Sequence, residues 1–130
     1  MTTRPISRRA VLRAAISGAG VLAFPHVLRA QAATVKIGVV SPVTGAMAEV
    51  GGDCRLGAQM AAEAINAAGG IKSMNGARLE LLLADSQTKL DVARSEADRM
   101  IGAGAQLLTG GFHSAHVAAI SSLAQQRRVP

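Results

Sequence analysis

Between Val35 and Pro130 the apolar positions fall into three short strand-like runs, Val35 to Val40, Leu79 to Ala84 and Gln106 to Thr109. Each run is followed by a loop of small residues and then by a segment of helical period. Strands that alternate with helices predict crossover connections and therefore an α/β fold, a parallel sheet with flanking helices. Open sheets of this kind bind ligands outside the carboxyl ends of their strands. Three loops follow those ends and carry the functional question: Ser41 to Gly52, Asp85 to Thr88, and Gly110 to Ser114.

The helical segments set further expectations. Gly51-Gly52 breaks the first loop and Asp53 suits an N-cap, after which Leu56, Met60 and Ala64, flanked by Ala61 and Ile65, form an apolar stripe. Gly69-Gly70 ends that helix and Asn75-Gly76 turns the chain into the second strand. Thr88 with Asp91 approximates a capping box for a second helix whose buried side is Leu90, Ala93, Ala97, Met100 and Ile101. Val117, Ile120, Leu123 and Ala124 mark a third stripe, and Val129-Pro130 reads as the start of a fourth strand. Three strands with three helices leave a sheet edge unpaired and apolar surface uncovered, so residues 33–130 read as part of a lobe that does not fold cooperatively or bind tightly alone.

Residues 1–32 follow a different pattern. Arg4, Arg8, Arg9 and Arg13 precede an interrupted apolar stretch from Ala14 to Leu28, and Ala30-Gln31-Ala32 fits an A-x-A cleavage site. This is the plan of a secretory signal peptide cleaved near Ala32, with the stretch too short and broken to span a bilayer permanently. Arg8-Arg9 within Ser7 to Arg13 further resembles a twin-arginine signal, which implies the export machinery as a partner and a periplasmic location.

Charge reinforces the division. The whole chain of 130 residues has 14 Lys+Arg against eight Asp+Glu. Residues 1–32 hold five of the bases and none of the acids, so residues 33–130 carry nine against eight. The high pI thus belongs to the export segment. With Phe112 the one aromatic after residue 32, the remainder lacks the basic patch and stacking surface of a nucleic-acid binder. Cys54 is the only cysteine, which excludes an intrachain disulfide, and its Ala-rich setting reads as a small packing residue in the interior.

Enzyme signatures are missing. The chain has no phosphate loop and no nucleophile elbow, and Gly102-Ala103-Gly104 precedes a strand where a dinucleotide fingerprint would follow one. His113 and His116 have helical spacing but no third ligand nearby in sequence, so no metal site and no cofactor is expected. The loop at Gly110 to Ser114 suits an anion instead. Gly110 and Gly111 permit close backbone approach, while Ser114 with the N–H groups of Ala115 and His116 at a helix N-terminus could hold a carboxylate. A plain N-cap role for Ser114 explains the same residue.

Taken in order, Val35-Lys36-Ile37-Gly38-Val39-Val40-Ser41-Pro42-Val43-Thr44-Gly45, Ile65-Asn66-Ala67-Ala68-Gly69-Gly70-Ile71, Asn75-Gly76, Leu81 to Asp85 and Gly110 to Ser114 resemble the start of leucine/isoleucine/valine-type periplasmic binding proteins of ABC transporters. The resemblance implies a two-lobed type I fold, of which residues 33–130 are an incomplete N-terminal lobe. It implies capture of a small carboxylate-bearing solute, a branched-chain amino acid, amide or aromatic acid, for an inner-membrane ABC permease. It places Ser114 on the solute carboxylate, with Ala115, His113, Gly111 and Thr44 around it. Val50 stands near a position where amino-acid-binding members often carry an aromatic ring. A sensory ligand-binding domain of the same fold and an inactive truncated product are the other readings.

Overall fold

The computed structural model describes residues 33–130. The export signal, with Arg8, Arg9 and the cleavage site near Ala32, lies outside the described residues. Three strands, β1 (Thr34–Ser41), β2 (Arg78–Asp85) and β3 (Leu107–Gly110), alternate with helices α1 (Ala48–Ala67), α2 (Leu90–Gly102) and α3 (Ser114–Arg127). The sheet has the order β2-β1-β3, with both outer strands parallel to β1. All three strand-like runs of the sequence become strands. Their carboxyl ends lie at one edge because Ser41 pairs with Asp85 and Val40 with Gly110.

Alternation along the strands sorts their side chains onto two faces. Val40, Ala84, Leu82 and Leu108 point to one face, where Ala93, Ala97 and Met100 of α2 and Ile120 and Leu123 of α3 close a core. Small residues let this layer pack tightly. A Cβ built on Gly38 would stand 2.6 Å from Leu108 Cδ2 and 3.1 Å from Met100 Sδ, so even one methyl group would make those two side chains shift. Leu90 and Val117, expected on the buried sides of their helices, are exposed in the first turns of those helices.

The opposite face carries α1, and here the sequence stripe is overturned. Leu56 is 56% and Met60 is 61% exposed, whereas the buried residues of α1 are Gly51 and Ala62. Arg55 and Asn66, each four residues on from one of these, complete the side that meets the sheet. Asn66 Nδ2 donates to the Leu79 carbonyl at 2.9 Å, and Asn66 Oδ1 accepts from the Leu79 N–H at 2.8 Å. The Arg55 guanidinium donates to the Ala84 carbonyl. Polar contacts to strand backbone therefore outrank the apolar stripe in setting the roll of this helix.

The helix starts also differ from expectation. α1 begins at Ala48, with Met47 at the N-cap, so Gly51, Gly52 and Asp53 lie within it. Glycine is needed at position 51 because the helix crosses Pro42 there, and a Cβ would collide with the Pro42 carbonyl oxygen. Thr88 does not cap α2. It adopts φ 57° and donates its hydroxyl to the Thr44 carbonyl at 3.2 Å, leaving Lys89 at the N-cap. Ser114 is the first residue of α3 and His113 holds the N-cap, with no side-chain capping bond. Gly69, Gly70 and the Asn75-Gly76 turn behave as expected, all with positive φ. Beyond α3, Leu108 N–H donates to the Pro130 carbonyl at 2.8 Å, a strand-like bond on the free side of β3.

Candidate functional site at the strand ends

Asp85 terminates β2 and organises the loop after β1. Its Oδ1 accepts from the N–H groups of Val43 at 2.9 Å, Thr44 at 3.3 Å and Gln87 at 2.8 Å, while Oδ2 accepts the Thr44 hydroxyl at 2.5 Å. Burial works to raise the Asp85 pKa, but the Thr44 hydroxyl bond and the three backbone donors outweigh it and hold the carboxyl below its ordinary value of 3.8. An ionised Asp85 thus pins two loops together. Thr44 is exposed at this edge, and both its N–H and its hydroxyl proton are committed to Asp85.

The loop after β3 is tied to β1 instead. Gly110 has φ 99° and sits where a Cβ would strike the Val40 carbonyl oxygen, and the same oxygen accepts the Gly111 N–H at 2.9 Å. Only glycine satisfies both the left-handed backbone and this approach. His113 then enters α3 by accepting the Val117 N–H at 2.9 Å. Its ring meets Phe112 edge-on at 5.7 Å and His116 at 5.0 Å, and its Nδ1 is buried with no hydrogen-bond partner. Among the described residues no group of three His, Cys, Asp or Glu is arranged to hold a metal ion.

Ser114 and Ala115 lie exposed at the N-terminus of α3. No side-chain cap engages the first turn, so its N–H groups and the positive end of the helix dipole face outward at the strand ends. Gly111, His113, Ser114 and Ala115 form one continuous segment there. Thr44 stands in a separate loop, turned onto Asp85.

Between the two loops lies a cleft of about 230 Å³. Pro42, Gly51 and Cys54 line it, as do Gly111 and Phe112 of the opposing loop. Val40 and Ser41, both buried, form its floor. Of the expected binding residues only Gly111 lines this cleft. Cys54 corrects another expectation, since it is exposed rather than packed inside. Residues missed from sequence are Asp85 as loop anchor and Ser41, Cys54 and Phe112 as cleft lining. An acid ending a buried strand signals the first. The others were hidden by a helix start placed six residues too late, at Asp53 rather than Met47, which separated Gly51 and Cys54 from their shared face.

Comparison with known proteins gives a consistent picture. Residues 34–130 match the family model described as periplasmic binding protein. The chain is 39% identical over 77 residues to the leucine-, isoleucine-, valine-, threonine-, and alanine-binding protein of Pseudomonas aeruginosa, covering 59% of this chain and 20% of that protein. It is 33% identical over 112 residues to Leu/Ile/Val-binding protein homolog 8 of Brucella abortus, covering 85% of this chain and 27% of the relative. Among solved structures, the branched-chain amino acid transporter substrate binding protein LivJ from Streptococcus pneumoniae, in complex with isoleucine, superimposes with a TM-score of 0.70 at 31% identity. That match covers 75% of this chain and 27% of LivJ. The chain therefore spans only 20% to 27% of the length of these relatives.

Proposed function

The chain belongs to the periplasmic binding protein family, of the leucine/isoleucine/valine-binding type, and on that premise we propose that it captures a small carboxylate-bearing solute for an inner-membrane ABC permease. Branched-chain amino acids are the first candidates, because the relatives from Pseudomonas aeruginosa and Brucella abortus are named for them. The observation that carries the reading is the uncapped N-terminus of α3, where Ser114 and Ala115 stand exposed behind a glycine loop fixed to β1. A carboxylate there would accept the Ser114 hydroxyl proton and first-turn N–H groups, with the helix dipole favouring its charge.

Ser114→Ala tests this on the protein as the cell makes it. A hydrogen bond to a charged group contributes about 1.5–3 kcal/mol, so affinity should fall by about one to two decades. Because the Ser114 side chain caps nothing, the melting temperature should hold. Unchanged affinity with lowered stability would place Ser114 in a structural role and remove the carboxylate site.

We further propose that residues 1–32 direct export through Arg8-Arg9 and are removed near Ala32. None of the described helices is long and apolar enough to cross a membrane. Replacing both arginines by lysine should strand the protein in the cytoplasm when cells are fractionated. Periplasmic protein at wild-type abundance, beginning at Ala33, would reject the twin-arginine route.

A further inference from the structure

We propose that the strand-end cleft receives the uncharged side group of the solute, and that the Ser41 hydroxyl makes it favour a group with a hydrogen-bonding atom over an aliphatic one of equal shape. This inference rests on the solute-binding reading above. Ser41 is 3% exposed and lines the cleft, and its hydroxyl takes part in none of the side-chain hydrogen bonds among the described residues. It pairs in register with Asp85, yet Asp85 spends its oxygens on Val43, Thr44 and Gln87. A nearly buried donor and acceptor is thus left to whatever fills the space.

The walls limit what that can be. Pro42 and the Phe112 ring are apolar, Cys54 presents a thiol, and no charged side chain lines the cleft. An ion entering it would lose water without a counter-charge, so the carboxylate belongs elsewhere, at α3. A volume of about 230 Å³ has room for a branched aliphatic or hydroxyalkyl group. Valine and threonine present nearly the same shape and differ by a methyl against a hydroxyl. When the methyl enters, Ser41 loses water and gains no bond, whereas the hydroxyl restores one.

Calorimetry with L-threonine and L-valine on the natural gene product tests the proposal. The wild type should hold threonine about three- to tenfold more tightly. Ser41→Ala should level or reverse that ratio. On the wild type alone, saturating L-threonine should slow alkylation of Cys54 by N-ethylmaleimide, a readout that does not depend on any variant folding. A wild-type preference for valine, a ratio untouched by Ser41→Ala, or an unprotected Cys54 in the threonine-bound protein overturns the inference while solute binding stands. If neither amino acid binds, the inference is overturned as well. The functional reading then survives only if another carboxylate, such as benzoate, binds in a Ser114-dependent way.

Discussion

The sheet face under α2 and α3 is closed by apolar contact, whereas the face under α1 is fastened by side chains that hydrogen-bond to strand backbone. On the first, Met100, Ala93 and Ala97 are fully buried against Val40 and Ala84. On the second, α1 turns Leu56 and Met60 outward and meets β2 through Asn66 and Arg55. Leu107 of β3, on this same face, remains 38% exposed. Apolar burial is non-directional and tolerates rotation, but a paired amide fixes one rotation of its helix. The two faces thus reach order by different means, and substitutions should separate them.

The largest contrast is between two methionines. Met100→Ala empties a fully enclosed site and should cost about 2–5 kcal/mol, read as a lower urea midpoint. Met60→Ala, on the outward side of α1, should change stability by less than about 0.5 kcal/mol. Equal losses would show that the α1 face is as closed as the other. Next comes Asn66→Ala, which strips partners from both the Leu79 N–H and the Leu79 carbonyl and should cost about 1–3 kcal/mol. A loss near zero would mean that water replaces the clasp and that α1 is held by something else.

The smallest effect concerns the loops that join the faces. The folded-state pKa of Asp85 lies below its ordinary value, so its contribution is complete above about pH 4 and fades as the pH falls through the depressed value. Asp85→Asn should remove that portion of the acid dependence of stability and leave the profile above pH 5 parallel to wild type. An identical acid limb in the two proteins would show that other carboxylates carry it.

How far the sequence revealed these features follows from the same contrast. The strands, the order of elements and the buried sides of α2 and α3 could be read because alternation and helical period report apolar burial directly. Ala93, Ala97, Met100, Ile120, Leu123 and Ala124 all lie where that period places them. The roll and start of α1 could not, since Asn66 and Arg55 look like solvated positions until the strand they bind is in place. Thr88 misled for a related reason, its hydroxyl going to a loop that is distant in sequence. At the candidate site, Gly111, His113, Ser114 and Ala115 were legible as one segment. The partnership of Ser41 with Cys54 and Phe112 needed the crossing of α1 over Pro42.

The Asn66 clasp also bears on the order in which the chain gathers itself. It links residues only 13 apart in sequence, across a turn already shaped by Gly69, Gly70 and Asn75. Closing so short a loop sacrifices little entropy, while bringing Ile37 beside Leu107 requires both crossovers to be in place. The helix–turn–strand unit of α1 and β2 is therefore expected to form early, with the β1–β3 pairing following it. Weakening the clasp should accordingly slow refolding, whereas weakening the β3 side should chiefly speed unfolding.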